Sequence, residues 1–165
     1  IGLGKIGSRI AEIALGFGGD ISYWSRTRKE EYEAKGIKHQ DIDNILVESD
    51  FLSLNLMLNK ETEDFLNDER MQKIKSGAVV INLSPMELVD IDALANRLEK
   101  DDITFIIDHA DEMTPGQLKK ITKYKNCIIY PPIASTTKEA TELKQEIFVG
   151  NIENFLKGAP TNKVN

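Results

Sequence analysis

The chain is poor in the residues that mark several large classes of protein. It has a single cysteine, Cys127, which cannot form an internal disulfide and, lying in an apolar run, reads as a small core residue. Only two histidines are present, His39 and His109, and no metal site is expected from them. No run of eighteen apolar residues occurs, so no membrane span is expected. There is no long basic block, and the net charge is −6, which makes nucleic acid a poor candidate partner. The opening residues lack the pattern of a secretory leader. A reducing, cytoplasmic setting is therefore the expectation.

What is present fits one soluble globular domain. The 165 residues are 41% hydrophobic and 29% charged, enough for a single substantial core. Ile6, Ile10, Ile13, Ala14 and Phe17 recur at helical spacing, and Gly18-Gly19 stops that helix. Strands are expected at Ile21 to Trp24, Ile37 to His39, Phe51 to Leu56, Ala78 to Ile81, Ile103 to Ile107 and Cys127 to Tyr130. Helices are expected at Arg26 to Lys35, Asp41 to Glu48, Asp68 to Lys75, after the cap Asp90, at Thr114 to Lys123 and at Thr136 to Lys157. The strand segments are nearly continuous apolar runs, as in parallel sheets covered on both faces. Strand–helix alternation throughout predicts a three-layer α/β fold, a doubly wound parallel sheet of the Rossmann type.

The chain opens on Ile1-Gly2-Leu3-Gly4-Lys5-Ile6-Gly7, a G-x-G-x-x-G pattern. Gly2 permits a tight turn, Gly4 lets the backbone approach a pyrophosphate, and Gly7 lets the helix pack closely on the strand. The first-turn amides of the helix, at Lys5 and Ile6, face the anion. Because the pattern opens an amphipathic helix within a βαβ unit, dinucleotide binding is favoured over a bare turn. The end of the second strand should choose the cofactor. An acidic residue there would accept from the ribose 2′-OH of NAD(H). This chain has Ser25, Arg26, Thr27 and Arg28 instead, and Asp20 lies at the strand's other end. Hydroxyl and guanidinium groups hold a 2′-phosphate, so NADP(H) is expected over NAD(H), which remains possible. Trp24 reads as sheet packing rather than an adenine platform. S-adenosylmethionine is a weaker alternative, because its ribose also wants a carboxylate.

From the glycine loop onward the sequence resembles the D-isomer-specific 2-hydroxyacid dehydrogenases. The resemblance rests on Gly2 to Gly7, Glu48 to Leu54, Gly77 to Asn82, Leu88-Val89-Asp90, Asn154 to Gly158 and Val164-Asn165. Tyr23 to Lys29 is similar to the NADP-preferring glyoxylate and hydroxypyruvate reductases of that family. The resemblance implies that Asp108 bonds the nicotinamide carboxamide and that Thr62 lies near the pyrophosphate. Asn82, Leu83 and Ser84, with the segment Pro132 to Ala134, would line the nicotinamide. Met57 stands where a proline is usual in the loop under the adenosine. The family's catalytic groups are an Arg for the substrate carboxylate and carbonyl, a His that exchanges the proton, and a Glu that tunes the His. The matching positions here carry Pro85, Pro132 and Met113, so the family's chemistry is lost at all three. His109 is the one nearby imidazole that could substitute; Asp111, Glu112 and Glu87 are close in sequence, and His39 sits on an edge segment.

Two readings follow. The first is the NADP(H)-binding domain of a 2-hydroxyacid dehydrogenase or reductase relative with altered catalytic groups. The second is a catalytically silent module that holds NADP(H) to sense or scaffold. Residues 1–165 are expected to be one dinucleotide-binding domain whose first strand is represented only by Ile1, with about five apolar residues, a usual strand length, completing it upstream. The resemblance further implies a substrate domain of roughly a hundred residues, a typical domain size, before Ile1. It also implies a homodimer through the nucleotide domain. The substrate is not legible in this sequence.

Overall fold

A computed structural model describes residues 1–108, 110–131 and 133–163. His109, Pro132 and the Val164-Asn165 ending used in the resemblance lie outside the described residues. The chain divides into two compact units, Ile1–Pro131 and Pro132–Asn165.

The first unit alternates strand and helix as the sequence predicts. Its helices are α1 (Lys5–Gly16), α2 (Glu30–Glu33), α3 (Ile42–Glu48), α4 (Asp68–Lys73), α5 (Ile91–Leu98) and α6 (Pro115–Ile121). Its strands are β1 (Ser22–Tyr23), β2 (Lys38–His39), β3 (Phe51–Leu54), β4 (Val79–Asn82), β5 (Thr104–Ile107) and β6 (Cys127–Ile129). All pairings are parallel, in a two-stranded sheet β1-β2 and a four-stranded sheet β3-β4-β5-β6. Ile1 and Gly2 join the two. The Ile1 nitrogen donates to the Ser53 carbonyl (2.7 Å), the Ile1 carbonyl accepts from Asn55 N (2.8 Å), and Gly2 N donates to the Trp24 carbonyl (2.8 Å). The chain thus leaves the centre of the sheet for one side, returns, and builds the other side. That reversal is the switch point of a doubly wound sheet, where ligands bind beyond the strands' carboxyl ends.

Burial explains the strand residues. Leu52, Leu54, Val80, Phe105 and Ile107 are buried on one face, against Ile45, Leu46, Met71, Leu94, Leu98 and Ile121 of the helices α3 to α6. Ser53, Ile81 and Ile106 on the other face are half-buried. The Asp90 carboxylate caps α5, accepting from Asp92 N (2.9 Å) and Ala93 N (3.1 Å), and so starts the helix where the sequence places it. Cys127 is half-buried rather than fully enclosed, and burial pushes its thiol up to about 11. The thiolate needed for nucleophilic chemistry is thereby suppressed.

Only part of the apolar stripe of α1 faces the core, with Ile10 and Ala14 half-buried. Phe17 is 89% exposed and Ile6 and Ile13 are exposed, whereas Gly7, Ser8 and Ala11 are buried. The buried face is the one with small residues, because the helix backbone approaches the sheet too closely for larger ones. The second unit contains α7 (Lys138–Leu156), capped by Thr137, whose hydroxyl accepts from Ala140 N (3.1 Å). Its stripe of Phe148, Ile152 and Phe155 is exposed. No described helix is long and apolar enough to cross a membrane.

The turn leaving β1 is held by a clamp. Tyr23, 2% exposed, donates its hydroxyl to Glu33 Oε1 (2.9 Å) and accepts from Lys29 N (2.6 Å). Arg28 closes the clamp with two parallel bonds to Glu33, Nε to Oε1 (2.7 Å) and Nη2 to Oε2 (2.5 Å). This fork geometry is the strong form of an ion pair. The Arg28 hydrogen bonds, helped by the Tyr23 hydroxyl, hold the Glu33 carboxyl down at about 2 against an ordinary 4.5. A carboxyl with a depressed folded-state pKa stabilises the fold fully above its unfolded value and loses that contribution as pH falls toward its folded value. Urea midpoints should therefore drop more steeply between pH 4.5 and 2 for the wild-type chain than for Glu33→Gln. Parallel pH profiles would show that the clamp contributes nothing to stability.

Candidate functional site

The carboxyl ends of the parallel strands share one edge of the sheet, and the sequence-derived positions of the first unit collect there. Gly2 adopts φ +87°, and a Cβ at this position would stand 2.5 Å from the Asn55 carbonyl oxygen. A Cβ at Gly7 would collide with the Gly2 carbonyl oxygen. Both glycines are required by backbone approaching backbone. Gly4 differs: it is exposed, and a Cβ there would meet nothing within 4 Å. It is the N-cap of α1 in extended conformation, with no side-chain cap. The first intrahelical bond is Ser8 N to the Gly4 carbonyl (2.9 Å), so the amides of Lys5, Ile6 and Gly7 precede the hydrogen-bond ladder. Uncapped donors, a helix dipole twelve residues long and the open space over Gly4 together form an anion cradle. A pyrophosphate fits that donor set.

The turn after β1 divides its basic residues between two tasks. Arg28, expected among the cofactor-binding groups, is held by Glu33. Arg26 is 81% exposed and lies 3.7 Å from Glu61. The Ser25 hydroxyl donates to the Thr27 carbonyl (2.6 Å), shaping the turn and leaving its oxygen lone pairs outward as acceptors only. Thr27 is exposed. Asp20 pairs with Lys38 (2.7 Å) at the opposite end of β1, away from the turn. Trp24 tilts against Phe65 with centroids 5.3 Å apart and packs on the core. It serves the sheet, as its sequence context suggests.

Two further loops complete the edge. Met57 is exposed at the head of a loop closed by Thr62, whose hydroxyl donates to the Met57 carbonyl (2.7 Å) and accepts from Asn59 N (2.9 Å). Thr62 thus shapes the loop with its side chain. Asn82 is buried; its Oδ1 accepts from Ser84 N (3.0 Å), its Nδ2 contacts Met86 Sδ (3.2 Å), and its carbonyl accepts from Asp108 N (3.3 Å). Leu83 is half-buried and donates its N–H to the Leu54 carbonyl (3.2 Å). The half-buried Asp108 ends β5, and among the described residues its carboxylate has no hydrogen-bond partner. Ala134 is exposed in the second unit.

The positions matched to the family's catalytic groups hold fold-forming side chains. Pro85 is half-buried as the N-cap of a 3-10 turn, Met86–Leu88, and Met113 is 8% exposed within the core. Asp111, Glu112 and Glu87 are exposed. His39 stacks edge-on against Tyr23 at 5.1 Å, on the edge strand β2. Among the described residues no His, Cys, Asp or Glu cluster could hold a metal.

Sequence reasoning named Ser84 only as part of a backbone segment, and it missed Asn55 and Glu61. Ser84, buried, accepts the Leu56 N–H on its hydroxyl (2.9 Å) and so ties the β3 and β4 ends together. Asn55 supplies the backbone that forces glycine at position 2, and its Oδ1 is buried with no partner among the described residues. Glu61 meets Arg26. Each contact is long-range, and no local pattern announces it.

Comparison with known proteins agrees with this geometry. Residues 1–134 match the family described as D-isomer specific 2-hydroxyacid dehydrogenase, NAD binding domain. The whole chain is 38% identical to half of a glyoxylate reductase from Thermococcus litoralis. It is 30% identical to 51% of a glyoxylate reductase from Korarchaeum cryptofilum. The chain therefore spans about half the length of the curated relatives it matches. Among solved structures, 96% of it superposes on 52% of D-lactate dehydrogenase from Aquifex aeolicus complexed with NAD and lactic acid, with TM-score 0.86 and 29% identity. Ninety-nine per cent of it superposes on 52% of an acyclic imino acid reductase in complex with NADPH and D-Arg, with TM-score 0.83 and 28% identity. The chain belongs to the D-isomer-specific 2-hydroxyacid dehydrogenases and carries their NAD-binding domain.

Proposed function

We propose that this domain binds NADP(H) in preference to NAD(H), as the cofactor half of a 2-hydroxyacid dehydrogenase or reductase relative. The observation that carries the preference is the turn Ser25-Arg26-Thr27, which ends β1 with an exposed guanidinium and no carboxylate. A 2′-phosphate brings close to two negative charges that a carboxylate would repel and a guanidinium would attract. The NADPH complex of the imino acid reductase is a precedent in the same fold. When bound, the dinucleotide would supply hydride. The chain's own contributions are the backbone amides of the Gly4–Gly7 turn for the pyrophosphate, Arg26 and the exposed Thr27 for the ribose phosphate, and Asp108 with the Leu83 segment for the nicotinamide. A cytoplasmic setting and a homodimer joined through this domain belong to the same proposal. So does a substrate domain elsewhere in the protein.

A second reading, a silent NADP(H)-holding module, is favoured by Pro85 and Met113. Reducing a ketone builds negative charge on its oxygen and then requires a proton. A general acid is worth ~10²–10⁴ in rate, and an oxyanion donor roughly 10²–10³. Proline and methionine supply neither.

Titrating the chain with each cofactor while following the fluorescence of Trp24, its one tryptophan, should show tighter binding of NADPH. Arg26→Ala should weaken NADPH by about 1.5–3 kcal/mol, the scale of a charged hydrogen bond, and leave NADH nearly unchanged. Equal affinities, or a preference for NADH, would remove the proposal. With NADPH and glyoxylate, hydroxypyruvate or pyruvate at high protein concentration, no turnover in the ordinary enzyme range of about 1–10³ per second is expected. Turnover in that range would refute the loss of catalysis. Should a slower rate be found, its disappearance in His109→Ala would assign the proton transfer to His109.

A further inference from the structure

The turn that ends β1 presents two guanidinium groups with opposite fates. Arg28 is gripped by Glu33 through two hydrogen bonds, and Glu33 is gripped in turn by the Tyr23 hydroxyl. An anion arriving at the turn would have to break that fork to use Arg28. Arg26 faces Glu61 at 3.7 Å, beyond hydrogen-bond distance for an N–H donor and a carboxylate. Both side chains are mostly exposed, at 81% and 76%. Such a pair is a weak electrostatic contact that a better anion displaces. It connects two separate pieces of chain, the turn after β1 and the loop closed by Thr62.

The surroundings sharpen the contrast. A cavity of about 750 Å³ opens beside the pair. Glu61 lines it together with Asp41, Asp43, Glu63, Asp64 and Glu69, and Arg70 and Lys73, the latter paired with Asp43 and Glu69, answer only part of that charge. Negative potential at this end of the site opposes any phosphate that binds there. Arg26 is the one guanidinium of the turn left to overcome it, and Glu61 stands 3.7 Å from it.

We propose that Glu61 is a specificity-determining residue: it latches Arg26 in the free domain and sets the NADPH-over-NADH ratio by competing with the ribose 2′-phosphate for that guanidinium. The inference rests on the reading of Arg26 as the 2′-phosphate ligand. The competition acts on one cofactor only, because NADH has no group to take Arg26 from Glu61. A ligand shifts such an equilibrium only by its differential interaction with the two arrangements. Removing the Glu61 charge therefore raises NADPH affinity and leaves NADH where it was.

Glu61→Gln keeps the side chain's size. The loop is unaffected, because its closing bonds use the Glu61 backbone N–H to Asn59 Oδ1 (2.8 Å) and the Thr62 hydroxyl. Dissociation constants for NADPH and NADH should be measured on the wild-type chain, Glu61→Gln, Arg26→Ala and the double variant, at low salt and at 0.5 M salt, on the order of a Debye length of a few ångströms. Glu61→Gln should tighten NADPH about two- to fivefold at low salt, the factor an exposed ion pair is worth, with NADH unchanged. The gain should shrink at high salt and vanish in the Arg26→Ala background. If Arg26→Ala weakens NADPH but Glu61→Gln changes nothing, the latch is overturned while the cofactor preference stands. If Glu61→Gln tightens both cofactors equally, the latch is again overturned, because the carboxylate then acts by general repulsion. If Arg26→Ala leaves NADPH binding intact, the cofactor reading fails and the latch fails with it.

Discussion

Gly7 sits against the carbonyl of Gly2 with no room for a methyl group between them, and the site's geometry depends on that contact. It brings the first turn of α1 down onto the sheet at the point where Ile1 and Gly2 link β1 to β3 through main-chain bonds. Gly2 also faces the Asn55 carbonyl, again backbone against backbone. Three segments distant in sequence therefore meet without side chains. Their relative positions are fixed by main-chain dimensions, which vary little. The amides of Lys5 and Ile6 are aimed by this packing, and the open space over Gly4 is what the packing leaves. A larger residue at position 7 would move the helix off the strand ends and carry the donors away with it.

The charge distribution is the second constraint. A chain of net charge −6 must bind an anionic ligand against its own long-range field, so local dipoles and single cations carry the attraction. The helix terminus supplies fixed partial charge at no conformational cost. Two of the acids near β1 are held by bases: Asp20 is tied to Lys38 and Glu33 to Arg28. Glu33 performs two tasks with one group. It orders the turn through Tyr23, and it engages one of the turn's two guanidinium groups in a two-bond fork.

Much of the fold was legible because its signals are local. Strand-period and helix-period runs placed the elements to within a few residues, and Asp90 marked the start of α5. The glycine spacing located the cradle because Gly2 and Gly7 each answer a steric demand that only glycine meets. The α1 stripe misled for a physical reason. Ile6, Ile13 and Phe17 have the period of a buried face, but period does not say which face is buried. Close approach selected Gly7, Ser8 and Ala11. Arg28 and Arg26 are alike in sequence and differ only in partner. Ser84 looks like an ordinary loop serine until Leu56 N is seen to donate to it. Contacts between strand ends some thirty residues apart have no footprint in composition or spacing. Pro85 and Met113 were singled out only through the resemblance, since neither carries a signal of its own.

Cofactor binding and catalysis use different materials in this architecture, and that difference lets one persist without the other. The cradle is made of backbone amides whose direction depends on glycines and on helix packing. Side-chain changes at the ends of β4 and β5 do not touch it. Catalysis requires particular side chains at those ends, and Pro85 and Met113 serve local structure there: the proline begins a 3-10 turn and the methionine fills core. Asp108 stands between these cases, a side chain just past the end of β5 whose carboxylate has no hydrogen-bond partner among the described residues. A domain of this construction can hold a dinucleotide through its backbone whatever side chains follow the ends of β4 and β5. Binding and reduction then have to be measured separately, because affinity for the cofactor reports on the backbone and turnover reports on the side chains.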